Sequence, residues 1–179
     1  MERDERELVA RAKAGDRRAF DELVRMYKDK MFALTYRMTG DRETALDLMQ
    51  ETFFAAFKEF GRFREEAAFS SWIYRIASNK AINYIRRRKL MTFLPLETSP
   101  KNEPAYQMND SASYSELKAE VAAGVESLPP KQRLVFNLRF YEKLPFAEIA
   151  KVLGKSESTV KTNYQKAVEK LQKKLEHFR

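Results

Sequence analysis

Apolar positions recur along this chain at intervals of three and four residues, the rhythm of helices that bury one side. Phe20, Leu23, Val24, Tyr27, Met31, Leu34 and Met38 follow it, with Asp16 placed to cap the start and Gly40 to end the helix. Asp41 opens a second helix, with Leu46, Met49, Phe53, Phe57 and Phe60 on one face and Gly61 near its end. A leading helix near Glu2 to Ala14 and a further helix from Ser70 to Leu90, capped by Ser70 or Ser71, complete a helical unit of about 90 residues. In that last helix Ile73, Tyr74, Ala77, Ala81, Tyr84 and Ile85 share one arc and face a core. The opposite arc gathers Arg75, Asn79, Asn83 and Arg86, with Trp72 at its start, where an ordinary solvated surface carries Glu and Lys.

From Met91 to about Tyr114 the rhythm stops. Pro95, Pro100 and Pro104 stand among polar residues, which predicts an extended linker. Its Phe93, Leu94, Leu96, Tyr106 and Met108 are more apolar groups than a bare spacer needs, and suit a segment that lies on a partner. Helical spacing resumes with Leu117, Val121, Val125 and Leu128, breaks at Pro129 and Pro130, and continues through Leu134, Val135, Leu138 and Tyr141. The expected architecture is all-α: a helical unit over residues 1–90, a linker over 91–114 and a second helical unit over 115–179.

Composition narrows the function. The 179 residues carry 34 Lys and Arg against 26 Asp and Glu, a formal charge of +8, which favours a polyanionic partner such as nucleic acid or an acidic membrane surface. The longest apolar run, Phe53 to Phe57, is too short to span a bilayer, and no basic-then-apolar leader opens the chain, so a cytoplasmic protein is expected. With no cysteine there is no disulfide, thiolate metal site or thiol nucleophile, which fits a reducing compartment. Five glycines argue against phosphate-cradling loops, His177 stands alone near the end, and Glu65 and Glu66 fit solvated surface. No metal-ligand spacing or nucleophile elbow is present, so neither catalysis nor a cofactor is expected.

Three constellations carry the remaining signal. The stretch "LPFAEIAKVLGKSESTVKTNYQKAVEKLQKKL" has the pattern of a helix-turn-helix. Ala150 is small where helices cross, Gly154 supplies the turn, Ser156 caps the second helix and Val160 locks it over Phe146, Ile149 and Leu153. Its outward face presents Ser158, Lys161, Thr162, Gln165, Lys166 and Glu169, short polar and basic groups suited to a DNA major groove. A helical hairpin kept soluble by lysines is the plainer alternative. The second constellation, "ALDLMQETFFAAF", sets Asp47, Gln50, Glu51 and Phe54 near one face, an acidic surface that fits a protein partner better than DNA, or else a solvated helix. In the third, Trp72 stacks on a base or closes the core, Asn79 and Asn83 bond base edges, and Arg75, Arg86, Arg87, Arg88 and Lys89 hold phosphates or simply end a helix in water.

In this order the three constellations resemble the sigma-70 family of bacterial transcription initiation factors, in its small extracytoplasmic-function (group IV) type. "DLMQETF" is similar to the family's region 2.2, "FSSWIYRIASNKAINYIRR" to regions 2.3 and 2.4, and "SLPPKQRLVFNLRFYEKLPFAEIAKVLGKSESTVKTNYQKAVEKL" to region 4. The resemblance implies a subunit that performs no reaction, brings core RNA polymerase to promoters and helps open the duplex. It assigns Asp47, Leu48, Gln50, Glu51 and Phe53 to docking on the clamp helices of the largest polymerase subunit. Arg62, Phe63 and Phe69 bound a loop that takes up a flipped minus-10 base, and Trp72, Arg75, Asn79, Asn83, Arg86 and Arg87 melt and hold that element. Ser158, Thr159, Lys161, Thr162, Gln165 and Lys166 belong to the minus-35 recognition helix.

It further implies contact with the flap of the second-largest subunit, an anti-sigma protein that can hold the factor at the membrane, nucleoid association when active, and no small-molecule substrate or membrane insertion. Asn163 and Lys166 stand where relatives often carry arginine, and lysine cannot repeat arginine's bidentate guanine contact, so the promoter sequence does not transfer. The linker is also less acidic than is common in the family. Two rival readings are a helix-turn-helix regulator that works without polymerase and a small magnesium-dependent helical nuclease.

Overall fold

The structure is a computed structural model that describes residues 2–63, 68–92 and 112–176, with side chains described over 4–63, 68–91 and 119–176. The sequence expectations for residues 64–67, for most of the linker and for His177 lie outside it. Among the described residues eight α-helices follow one another: α1 (Glu2–Lys13), α2 (Arg17–Thr39), α3 (Arg42–Glu59), α4 (Phe69–Thr92), α5 (Ala112–Glu126), α6 (Pro130–Phe136), α7 (Phe146–Leu153) and α8 (Glu157–Lys174). A 3₁₀ turn at Phe60–Arg62 follows α3, and a π-helical turn at Asn137–Tyr141 continues α6. No strand occurs among the described residues.

The helices begin and end for local reasons. Asp16 accepts hydrogen bonds from the backbone N–H of Arg18 and Ala19 at the head of α2, and Asp41 accepts one from Thr44 at 2.7 Å at the head of α3. Gly40 closes α2 at φ +72°, a left-handed turn, and a side chain there would also strike Glu126 of α5 at 2.9 Å. Pro130 occupies the first turn of α6, where its missing N–H costs nothing.

α2 packs on α1, α3 and α4, and buries Phe20, Leu23, Tyr27, Met31, Leu34 and Met38 as their spacing predicts. The hydroxyl of Thr35 donates to the Ala45 carbonyl of α3 at 2.9 Å, fixing α2 and α3 in register. The second group of helices packs around α8, where Val125, Leu128, Phe136, Ala167 and Leu171 form their own apolar cluster. The two groups do not stand apart. α4 packs on α6 and α7, α2 on α6 and the π turn, and one apolar cluster runs from Leu8 in α1 to Val160 in α8.

Two expectations about apolar faces need correction. Phe57 is 53% exposed, because the buried seam of α3 runs through Ala45, Leu48, Thr52, Phe53 and Ala56 and leaves it one position beyond. Tyr141 is 37% exposed, because the π turn adds a residue to the helical cycle and rotates it off the core-facing arc.

Candidate nucleic-acid and polymerase interface

α4 keeps its two faces distinct. Ile73, Tyr74, Ala77 and Ala81 are buried, whereas Arg75, Asn79, Asn83, Arg86 and Arg87 are exposed. Tyr84 and Ile85 are only half-buried, since the helix runs past the bundle there. Trp72 is half-buried too. Its ring lies 4.8 Å from that of Phe63 and 5.8 Å from that of Phe69, so it walls an aromatic cluster that also holds Phe60. The ring packs on the core, and part of the side chain stays accessible to solvent.

The same cluster takes up two of the residues assigned to the minus-10 site. Phe63 and Phe69 are buried, at 5% and 2% exposure, and their rings meet edge to face at 6.1 Å. Each sits where the chain turns into or out of the bundle, and its apolar ring is taken up by that turn. Arg62 beside them is exposed.

On α3 the expected docking set divides. Asp47, Gln50 and Glu51 are exposed, whereas Leu48 and Phe53, at 6% and 9% exposure, are buried in the bundle. Their places beside the acidic face are taken by Phe54, 61% exposed with the Lys58 ammonium 4.4 Å from its ring centre. Glu51 also pairs with Lys80 of α4 at 2.9 Å, which ties this surface to the helix that carries the asparagines.

The helix-turn-helix forms as its spacing predicts. Gly154 turns at φ +60°, Ser156 accepts the Thr159 N–H at 3.2 Å, and Val160, Ile149 and Val152 are buried between the helices. Ser158, Thr159, Lys161, Thr162, Gln165 and Lys166 are all exposed along α8. Some are held in place: Lys161 pairs with Glu157 at 2.7 Å, and Gln165 donates to Glu169 at 3.1 Å.

The structure brings the two polar helices together. Ser78, Asn79, Asn83 and Arg86 of α4 line one side of a cavity of ≈ 390 Å³; Lys131, Lys155, Thr159 and Asn163 line the other, over a floor that includes Ile82, Leu134, Val135 and Val160. Its lining carries three cations and no carboxylate. Beside it the two helical groups are joined by polar contacts. The carboxylate of Glu142, only 8% exposed, pairs with Arg37 of α2 and accepts from the Tyr74 hydroxyl of α4 at 2.6 Å. The Arg37 guanidinium stacks 4.3 Å from the centre of the Tyr141 ring.

Burial pulls the Arg37 guanidinium below its ordinary value against the pull of Glu142, while burial and the Glu142 bond push the Tyr74 phenol up. Ser71 of α4 donates to Glu148 of α7 at 3.0 Å, and Arg133 of α6 donates to the Met38 carbonyl of α2 at 2.8 Å. Several polar atoms here find no protein partner: Arg37 Nε, Arg133 Nε, Asn137 Oδ1 and, in the cavity wall, Ser78 Oγ. Each such atom forgoes about 1–3 kcal/mol. None of Arg37, Ser71, Tyr74, Arg133, Glu142 or Glu148 stands out in the sequence as a site residue, because their partners lie 68 or more positions away and no local spacing marks them.

Comparison with known proteins bears on this arrangement. A family profile for sigma-70 region 2 matches residues 23–90, and one for sigma-70 region 4 matches residues 118–171. The ECF RNA polymerase sigma factor SigW of Bacillus subtilis is 33% identical over 176 residues, covering 93% of this chain and 94% of the relative. Among solved structures, CnrH in complex with the cytosolic domain of CnrY superposes with a TM-score of 0.72 at 25% identity, over 97% of this chain and 98% of that one. RpoE of Bartonella quintana, solved with the anti-sigma factor NepR, shares the fold at a TM-score of 0.70 and 18% identity, over 89% of this chain and 98% of that one.

Proposed function

The chain belongs to the sigma-70 family as an extracytoplasmic-function RNA polymerase sigma factor, and from that premise we propose how its surfaces divide the work. The factor binds core RNA polymerase, directs it to promoters and takes part in transcription initiation. Residues 1–90 form the unit that docks on polymerase and handles the minus-10 element, and residues 115–179 the unit that reads the minus-35 element. The chain carries out no reaction of its own; polymerase does the chemistry.

Asp47, Gln50 and Glu51, with exposed Phe54, dock on the clamp helices of the largest subunit, and the second unit meets the flap of the second-largest. Asn79 and Asn83 read the minus-10 strand between Arg75, Arg86 and Arg87, which hold phosphates, while the edge of Trp72 borders the parted duplex. Thr162, Gln165, Lys161 and Lys166 read the minus-35 element in the major groove, with Ser158 and Thr159 near its backbone.

The observation that carries this division is the exposed row of Asn79 and Asn83 between arginines, on a helix whose buried face is mainly apolar. Solvent-facing amides have no structural task on such a helix, and each supplies a donor and an acceptor to a base edge.

The factor works in the cytoplasm; among the described residues no helix is long and apolar enough to cross a membrane. An anti-sigma protein controls it, a reading supported by CnrH, which is solved with the cytosolic domain of another protein. The test combines the pure protein with core polymerase and a library of genomic fragments, and maps the transcript starts. Discrete starts absent with core enzyme alone are expected; a map identical to that of core enzyme refutes the reading.

A further inference from the structure

We propose that the cavity lined by α4, α6 and α8 is a binding site for a free nucleoside phosphate. The phosphate lies among Arg86, Lys131 and Lys155, and the base lies on the apolar floor beside Asn79, Asn83 and Asn163. The ligand is a small molecule, so the site goes beyond the assignment of α4 and α8 as readers of DNA.

Charge at the cavity is one-sided. Arg86 comes from α4, Lys131 from the first turn of α6 and Lys155 from the turn between α7 and α8. Three cations brought to one ≈ 390 Å³ space by three separate elements repel one another, and no carboxylate among the lining residues offsets this. Elsewhere the chain pairs its lysines: Lys80 with Glu51, Lys151 with Glu148 and Lys161 with Glu157. Among the described residues Arg86, Lys131 and Lys155 form no such pair. A phosphate placed between them turns the repulsion into attraction, and a guanidinium with two ammoniums suits its several oxygens.

The rest of the wall calls for more than a bare anion. Ile82, Leu134, Val135, Leu153 and Val160 give an apolar floor, on which a flat ring gains by leaving water. Asn163 donates one N–H to the Thr159 carbonyl at 2.9 Å and keeps its amide oxygen as an acceptor. Asn79 and Asn83 are exposed on α4. A primary amide presents a donor and an acceptor side by side, which a nucleobase edge matches and a fatty acid chain does not use. Ser78, 1% exposed, lines the same wall, and its hydroxyl has no protein partner, although a helical serine can bond to the carbonyl one turn back. The volume, within the range of about 300–1,000 Å³ for small-molecule sites, suits a single nucleotide.

Asn79 and Asn83 are also the assigned readers of the minus-10 strand, so nucleotide and strand compete for the same amides. That consequence, unlike binding itself, rests on the reading of α4 given above.

The test is isothermal titration calorimetry of the full chain with adenosine monophosphate (AMP), without polymerase or DNA. It is run at about 0.1 M salt, where charges more than about 10 Å apart are largely screened. Saturable binding of AMP is expected, with adenosine and inorganic phosphate each at least about tenfold weaker, since each makes only part of the contacts. Lys131→Gln and Lys155→Gln should each weaken AMP about fivefold or more, the effect of one charge-assisted bond, and either serves alone if the other loses its helical circular dichroism. Lys170→Gln, exposed on α8 and not lining the cavity, should leave the affinity unchanged. Absence of saturable binding overturns the proposal. So does an equal loss in Lys170→Gln, which would make the attraction one of net charge, or inorganic phosphate or decanoate binding as tightly as AMP. In a second arm AMP is expected to displace a fluorescent oligonucleotide of the minus-10 strand. AMP that binds as described without displacing the strand leaves the site standing and refutes the reading of α4 instead.

Discussion

The interior of the first helical unit and the joint between the two units differ in how much polar material they enclose. Around Leu23, Met31, Leu34 and Met38 the enclosed side chains are mostly apolar, and the buried hydroxyls of Thr35, Thr39 and Thr52 all reach carbonyls. At the joint the apolar cluster continues from α4 into α6 and α7, but ion pairs and hydrogen bonds run beside it, and three of the buried polar atoms have no protein partner. Apolar burial resists separation because separation returns hydrocarbon to water. The polar contacts of the joint lose far less, since water replaces what the protein gave up, so the joint's apolar part carries most of its resistance to separation.

The contrast is most exposed to attack at Leu34, which is fully buried in α2. Leu34→Ala should cost about 2–5 kcal/mol, through lost transfer energy and the cavity left behind. Urea denaturation followed by circular dichroism should show the loss across the helices of the first unit. An effect below about 1 kcal/mol would mean the interior is less tightly built than its burial indicates.

Arg133→Met probes the other side. It removes the bond to the Met38 carbonyl of α2 and the bonds to the Glu126 and Leu128 carbonyls, which hold the second unit's own turn. The expected loss is about 1–3 kcal/mol, limited because the freed carbonyls take up water once the joint opens. Spin labels on the two units should report a longer, broader distance at urea concentrations where the helices are intact. Simultaneous loss of distance and helicity would erase the contrast.

Asp41→Ala sharpens it from within the first unit. The carboxylate caps α3 through Thr44, whose bonds hold it below the usual carboxylate range. Losing the cap should cost about 1 kcal/mol and leave the interunit distance unchanged.

The smallest effect is one of pH. Glu148 is held below its ordinary value chiefly by its hydrogen bond from Lys151 and further by the Ser71 hydroxyl. A depressed carboxylate stabilises the fold fully above its unfolded value of about 4.3 and loses that contribution as the pH falls through the lower folded value. In Ser71→Ala the Glu148 carboxyl should titrate slightly nearer its ordinary value, by NMR, and the difference should vanish in any variant whose joint is open.

Sequence periodicity was a good guide wherever partners were close along the chain. It located α2, both ends of the helix-turn-helix and the two-faced character of α4. It failed where a face is decided by a distant neighbour. Leu48 and Phe53 lie on the helix proposed to dock, but their side chains are buried in the bundle. Phe63 and Phe69 flank the expected base-holding loop, yet their rings serve each other and Trp72. The joint was not legible at all: Glu142 meets Arg37 across 105 positions, and a solitary glutamate after a helix looks like any solvated turn. Motifs record what is local; pairings between units leave no periodic trace.

The π turn at Asn137–Tyr141 has a bearing on inheritance. There the N–H of Glu142 reaches back five residues to the Asn137 carbonyl at 3.2 Å, one residue farther than an α-helix allows. Deleting a single codon in this stretch would let the turn relax into ordinary helix, with no side chain of the interior exchanged. It would also carry Glu142 about 100° around the axis, away from Arg37 and Tyr74. Substitutions along the segment have many tolerable outcomes, but a change in its length has one. The length of this segment, more than any one residue in it, therefore sets whether Glu142 meets Arg37 and Tyr74.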